Sequence, residues 1–432
     1  MSFSPLTPRA PGQSLAASDW FRGILPALVL LLMGMILAGS GLNYLGREWT
    51  RQFTLLPLAR PGGWQKAMVA EGMAAVARRA ERAARQVGDP AALVQGASIL
   101  NRLVGAVGDV QVMEDLRRRS FSLARAALRT SPGLAAAHFH AAKSLAGLGR
   151  DTDGMLRHLV QAASLDPRDA AMRRQVGLLY LDLGMKEAAE AQFRAAIDVA
   201  PERAMRLFAL LESMEEAPSP EEITPATPAG RTVLGLWQER HHLIHAAQEA
   251  YHEAIALVAG THGRMKKRDR RFAFWAYQRL DGSLSRQGRH AEAEVLAASL
   301  LSEGPFQNDS EKALLTFREG IALRRQGRIE KSLALIRLAM ELDSSNISYP
   351  ESLGDTLMRL DRHDEAAIAY AGALSTSSRS SGSAKTALRL KYARCLEGLG
   401  RRRQALEEIR RVLMADPENE NARSLIAGLL HD

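Results

Sequence analysis

The feature that most constrains this chain is a recurrence at a fixed interval. Pro167 and Pro201 lie 34 residues apart, and each closes a similar segment, LVQAASLDP and FRAAIDVAP. Self-similarity at such an interval marks a chain built by stacking a small unit, not one folded around a single large core. Numbered from Ala170, the best-formed unit places Val176, Gly177, Tyr180, Gly184, Ala189, Phe193, Ala196 and Pro201 at positions 7, 8, 11, 15, 20, 24, 27 and 32. The pattern has a packing logic. Small residues at 8, 20 and 27 let two helices approach closely, and bulky ones at 4, 7, 11 and 24 fill the remaining space. A turn residue sits at 15, and proline at 32 stops the second helix.

This pattern resembles the tetratricopeptide repeat, a helix–turn–helix of about 34 residues, although Arg173 occupies position 4, where that family has a large residue. Residues 135–169 keep Phe139, Ala162 and Pro167 with one extra residue near the turn, and Ala127 and Pro132 close a worn copy at 101–134. Downstream copies run over 274–307 (Tyr277, Leu280, Leu284, Gly288, Ala293, Pro305), 313–346 (Gly320, Leu323, Gly327, Ala339), 347–380 (Leu353, Gly354, Leu357, Ala366, Tyr370, Ala373) and 386–419 (Tyr392, Ala393, Gly400, Ala405, Pro417). Asp361 and Ser378 replace the turn glycine and terminal proline of the third of these. Leu234, Gly235, Ala247, Tyr251 and Ala254 fit a degenerate copy in register from 228. The resemblance implies an all-α fold, a right-handed superhelix of helical hairpins (an α-solenoid) whose first helices line a concave face. Only 5% of the residues are aromatic, and the many alanines, leucines, arginines and glutamates are strong helix formers. The same composition argues against a β-sandwich or barrel.

Near the N-terminus, Gly23 to Gly46 is an uncharged stretch of 24 residues, long enough for a transmembrane helix, which needs about 20. Trp20 and Phe21 flank one end and Tyr44 and Trp49 the other, as expected at membrane interfaces. A cleaved signal peptide ending at Ala38-Gly39-Ser40 is the competing reading, but the apolar run continues to Leu45, which favours an anchor. Arg47, Arg51, Arg60 and Lys66 follow the span, against Arg9 and Arg22 before it. That balance leans toward a cytoplasmic main domain on a single-pass bacterial inner-membrane protein.

The chain then divides into a tail (1–22), the transmembrane helix (23–46), a membrane-proximal helical region (47–100), an N-terminal repeat block (101–216), a Pro-rich linker (217–230), the degenerate repeat (231–261), a basic insert (262–273) and a C-terminal repeat block with a capping helix (274–432).

Chemistry-bearing motifs are few. A single cysteine, Cys395, excludes internal disulfides and multi-cysteine metal sites, and its place at position 10 of a repeat reads as packing. No nucleotide-binding loop, GxSxG elbow, HExxH or kinase signature is present, so no enzymatic activity and no cofactor are expected. His241 and His245 stand four apart with Glu249 and His252 beyond them; on one helix this would be a metal-ligand spacing, but HHLIH lacks a zinc protease's glutamate and no metal is expected. The insert Arg264, Lys266, Lys267, Arg268, Arg270, Arg271, followed by Phe272, Phe274, Trp275 and Tyr277, mixes basic and aromatic residues as nucleic-acid binders do. Tyr277, however, is accounted for as core.

The formal charge is +9, and part of the excess falls at groove-facing positions 2, 5, 6, 9, 12 and 13 of the C-terminal units: Arg279, Arg286, Arg318, Arg324, Arg325, Arg359, Lys391 and Arg394. Acids there are fewer, Glu351, Asp355 and Glu397. A basic groove that binds an acidic protein or peptide segment is therefore expected. The asparagines with which chaperone-binding relatives clamp a terminal carboxylate are missing. The reading is a membrane-anchored adaptor for protein–protein interaction in envelope assembly, export or secretion. Its alternatives are a cleaved, soluble periplasmic binding module and a nucleic-acid-associated solenoid.

Overall fold

The computed structural model describes residues 72–259, 266–306, 308–376 and 382–431, with six scattered positions between 47 and 65. The tail and the transmembrane span expected at 23–46 lie outside the described residues, as does Arg264 of the basic insert. Among the described residues the chain is helical and strand-free, and no helix is long and apolar enough to cross a membrane. The chain forms two compact units, Met1–Ala196 and Ile197–Asp432.

In the N-terminal unit, α1 (Met73–Val87), α2 (Pro90–Val104), α3 (Val110–Thr130), α4 (Ala135–Leu148), α5 (Thr152–Leu165) and α6 (Ala170–Asp182) follow one another, and α7 (Lys186–Val199) runs through its end. Asp89, Asp109, Asp151 and Asp169 cap α2, α3, α5 and α6 by accepting from free backbone amides, the strongest local stop-and-start signal in this half. A core from Leu58 to Ala141 joins α1, α2, α3 and the start of α4. Helix α2 thus crosses residue 100, where the repeat block was expected to begin. The worn copy at 101–134 does not turn at its position 15: Asp115 lies within α3, and the chain turns instead at Gly105–Asp109.

The C-terminal unit opens with a short turn, Pro201–Arg203, then α8 (Ala204–Leu211), α9 (Pro220–Ile223) and the pairs α10 (Pro228–Arg240) with α11 (Ile244–Ala256), α12 (Lys267–Arg286) with α13 (His290–Glu303), α14 (Asp309–Arg325) with α15 (Ile329–Leu342), α16 (Ser348–Met358) with α17 (His363–Thr376), and α18 (Gly382–Gly398) with α19 (Arg402–Ala415); α20 (Glu420–His431) closes it. The stretch 217–230, expected as a linker, is packed. Ser219 and Glu222 form a capping box on α9, Thr227 caps α10, and Pro220 and Pro228 take first-turn positions, where a missing N–H costs nothing. Pro218, Pro220, Ile223 and Pro225 are buried. The insert expected at 262–273 is likewise helical from Lys267. Arg268 donates to the Asp198 carbonyl at 2.6 Å, Arg270 pairs with Glu311 at 3.7 Å and Phe272 is buried.

Two features reproduce the repeat physically. The first is the turn. Position 15 is Gly149, Gly184, His242, Gly288, Gly327, Asp361 and Gly400 in seven units, and every one has φ between +57° and +82°. That region is free for glycine and strained for other residues. His242 therefore marks an inter-helix turn: α10 ends before His241 and α11 begins after Leu243. His241 and His245 do not share a helix, so the spacing expected to resemble a metal site is lost.

The second is a ring laid on bare backbone. A Cβ at Gly177 would stand 2.5 Å from the Phe193 ring, one at Gly235 2.5 Å from Tyr251, and one at Gly354 2.6 Å from Tyr370. Position 8 is glycine wherever position 24 is aromatic. With Ile409 at 24, position 8 is Ala393; with Ala297 at 24, it is Asp281.

Two expectations follow. Gly177→Ala should cost about 1–3 kcal/mol by overpacking, seen as a lower urea midpoint, and most of the loss should vanish in Gly177→Ala/Phe193→Leu; equal losses in both would contradict the ring contact. Second, burial, with the charges of Lys143 and Arg102, pushes His140 down to about 3. The unfolded chain binds this proton near pH 6.5. Stability from the neutral ring is thus complete above about pH 6.5 and drains as pH falls toward 3. Urea midpoints of His140→Gln between pH 7 and 4 should fall less steeply than those of the native chain.

Candidate functional site

The basic residues expected to line the groove belong to first helices, and the structure ties most of them down. Arg279 binds Glu239 with two contacts, 2.7 and 3.0 Å, and Arg286 reaches the same carboxylate at 3.3 Å. Tyr251 donates its hydroxyl to Glu239 at 2.9 Å. Burial works against the Glu239 carboxylate, yet these hydrogen bonds and charges hold it below its ordinary value.

The same device recurs along the unit. Arg318 stands 3.4 Å from the buried Asp281; burial pushes that carboxyl up, and Arg318 opposes the push. Arg324 donates to the Ser352 hydroxyl at 3.1 Å and the Thr356 hydroxyl at 2.9 Å, while burial, Arg359 and Arg325 lower it and Asp355 opposes. Lys391 donates to Glu351 at 2.7 Å and Asp355 at 2.8 Å. Burial disfavours its charge, but the two carboxylates hold its ammonium above the usual value. Tyr370 donates to the other oxygen of Asp355 at 2.8 Å.

Arg279, Arg318 and Lys391 all occupy position 6, and each pairs with acids on the first helix of the preceding unit. They are cross-ties between successive units. Among the described residues, Arg325, Arg359 and Arg394 remain exposed with neither a hydrogen bond nor an ion pair. In the groove expected from the sequence to be basic with few acids, Arg279, Arg286, Arg318 and Lys391 are thus paired with acids, Arg324 with hydroxyls, and Arg325, Arg359 and Arg394 stand free. The sequence count missed Glu239, which lies in the degenerate unit, and Asp281, which stands where the repeat has glycine.

Arg394 and Lys391 border a cavity of about 640 Å³ with Asp416, Asn419 and Asn421. Asn419 is spent locally: its Oδ1 accepts from the Ala422 amide at 3.1 Å and its Nδ2 donates to Asp416 at 3.0 Å. Cys395 is buried, its thiol donating to the His363 carbonyl at 3.1 Å, and burial pushes that thiol up. Among the described residues no three His, Cys, Asp or Glu side chains cluster as metal ligands would.

Residues 175–203 match the family model described as tetratricopeptide repeat. No curated protein matches the chain. Among solved structures, the chain is similar to Pseudomonas aeruginosa pilF (16% identity over 61% of this chain and 98% of that one, TM-score 0.38). It is also similar to PilW, described as a widely conserved type IV pilus biogenesis factor (14% identity, 60% and 98%, TM-score 0.38). A third likeness is to the C-terminal part of a repeat-containing protein from Cytophaga hutchinsonii (11% identity, 66% and 98%, TM-score 0.38).

If Lys391 is a cross-tie, Lys391→Met should leave Glu351 and Asp355 facing each other uncompensated and cost about 1–2 kcal/mol in urea denaturation. No loss, or a gain, would show that the lysine is a free surface charge.

Proposed function

Proceeding from a chain that carries tetratricopeptide repeats, we propose that it is a membrane-anchored scaffold that captures a protein or peptide with an acidic segment. One observation carries the reading. Each hairpin of the C-terminal unit buries its residues at positions 8, 20, 24 and 27, while Arg240, Arg286, Arg325, Arg359 and Arg394 on its first helices stay exposed. Side chains not needed for packing are available for recognition. The helical repeat is an interaction module, and no catalytic role is proposed.

The uncharged run 23–46 supports the anchor. Tethering at a bilayer raises the effective concentration of the repeats near other membrane components, which suits a role in envelope assembly, export or secretion at a bacterial inner membrane. The basic residues after the span support a cytoplasmic main domain. A protein partner suits the surface better than nucleic acid does, because Glu239, Glu351 and Asp355 stand among its cations and would repel a phosphate backbone.

Crosslinked capture from membranes tests the proposal. The native chain should sediment with membranes after an alkaline wash and retain a defined set of proteins. Arg325→Glu/Arg394→Glu, which breaks no cross-tie, should reduce that capture by about tenfold or more while the chain stays folded. Unchanged capture would overturn the basic-surface reading, and an alkaline-soluble chain whose N-terminus begins past Ser40 would overturn the anchor.

A further inference from the structure

The hairpin of α4 and α5 sets two histidines face to face. His138 holds position 4 of its unit, and His158, allowing for the extra residue near the turn, holds position 23. Their Nδ1 atoms stand 2.8 Å apart, and both residues are half-buried. The next unit makes the same contact with different chemistry. There Arg173, at position 4, donates to Gln192, at position 23, at 3.1 Å and to the Pro167 carbonyl at 3.0 Å. His138 likewise donates from Nε2 to the Pro132 carbonyl at 2.9 Å. The tie from position 4 to position 23 and to the preceding proline is thus architectural. A guanidinium and an amide complete it with fixed donors and acceptors; a pair of imidazoles adds nitrogen lone pairs.

The carbonyl sets the tautomers. It can only accept, so the His138 proton sits on Nε2 and its Nδ1 carries a lone pair. His158 donates to that lone pair from its own Nδ1. With its proton on Nε2 instead, His158 presents a second lone pair to the same point. A metal-ligating histidine commonly donates its other ring N–H to a backbone carbonyl, which fixes its tautomer and orientation, and His138 already does so. The ring centroids are 5.0 Å apart. A tetrahedral ion about 2.0–2.1 Å from each nitrogen sets ring centres about 5 Å apart, so turning the rings in place admits one.

Both histidines border two cavities, of about 880 and 360 Å³, which leave an ion's remaining positions open to solvent. Asp151, Asp153 and Arg157 border the larger cavity, Arg125 and Arg129 the smaller. The carboxylates offset the charge of an ion, and the guanidiniums face any anion that completes its shell.

We propose that His138 and His158 form a two-imidazole site for zinc or a like divalent transition ion, which staples α4 to α5. Imidazole suits such ions, whereas magnesium and calcium take oxygen ligands. The site is separate from the His241–His245 spacing and does not depend on the scaffold reading. Closed structural zinc sites have four protein ligands; with two, this ion exchanges, and the hairpin folds with or without it.

The test titrates the full-length chain with zinc chloride by calorimetry, beside magnesium chloride. His138→Arg/His158→Gln installs the pair of the following unit, so the tie is kept while both lone pairs go. It should weaken zinc binding by about tenfold or more, since even an outer partner of a ligating histidine is worth about 10–100-fold. His241→Gln/His245→Gln should lose less than about twofold. Saturating zinc should raise the urea midpoint of the native chain but not that of His138→Arg/His158→Gln, and magnesium should raise neither. Helical circular dichroism should match the native chain in both variants; if His138→Arg/His158→Gln misfolds, His158→Gln alone carries the same expectation. No zinc binding, magnesium binding as tight as zinc, equal zinc binding by the native chain and the His138/His158 variant, or equal midpoint shifts in the two would overturn the site.

Discussion

Three hairpins of this chain, at 170–203, 228–261 and 347–380, depend on a ring resting on a residue without a side chain. Phe193 on Gly177, Tyr251 on Gly235 and Tyr370 on Gly354 bring the two helices of a unit closer than any Cβ at position 8 would permit. Consequences follow outward from that contact. Where the ring is tyrosine, its hydroxyl emerges among the first-helix side chains and donates to an acid, Glu239 or Asp355. That acid is thereby fixed, and it receives the position-6 cation of the next unit, Arg279 or Lys391. Packing within one hairpin thus orients the electrostatic link to its neighbour.

One of the units without a ring follows the same logic. With Ala297 at position 24 there is no ring, the space over position 8 is free, and Asp281 occupies it. The acid has moved inward by one step, and the position-6 cation Arg318 still reaches it. A buried carboxylate is costly unless compensated, which makes Arg318 part of the fold as much as part of a surface. These ties have a functional corollary: a stacked array needs its units coupled, and cations used for coupling are not available to a partner. What remains for recognition is sparse and regularly placed.

The fold was legible in the sequence because the repeat's requirements are steric. Glycine or a tolerant residue at position 15 and glycine beneath an aromatic ring are visible as residue types at fixed spacing. His242 was not recognised as a turn residue because a histidine in left-handed conformation leaves no compositional trace; the same blindness produced the apparent metal spacing from His241 to His245. The prolines of 217–230 were read as breaking structure, and they do begin helices, but only the partners of Ser219 and Thr227 reveal that the segment is capped and packed. The groove was half legible. Its cations are placed by position, whereas their neutralisation depends on which acid of the preceding unit each one reaches; Glu239 stands in the degenerate unit and Asp281 where the repeat has glycine.

The central claim is that position-6 cations couple successive units instead of standing free in a groove. A double-mutant cycle on Glu239→Gln and Arg279→Gln, followed by urea denaturation, measures this directly. The cross-tie account requires a coupling of about 1–2 kcal/mol, as befits a half-buried, two-contact pair. Additivity within about 0.3 kcal/mol would contradict it and return Arg279 to the set of free groove charges.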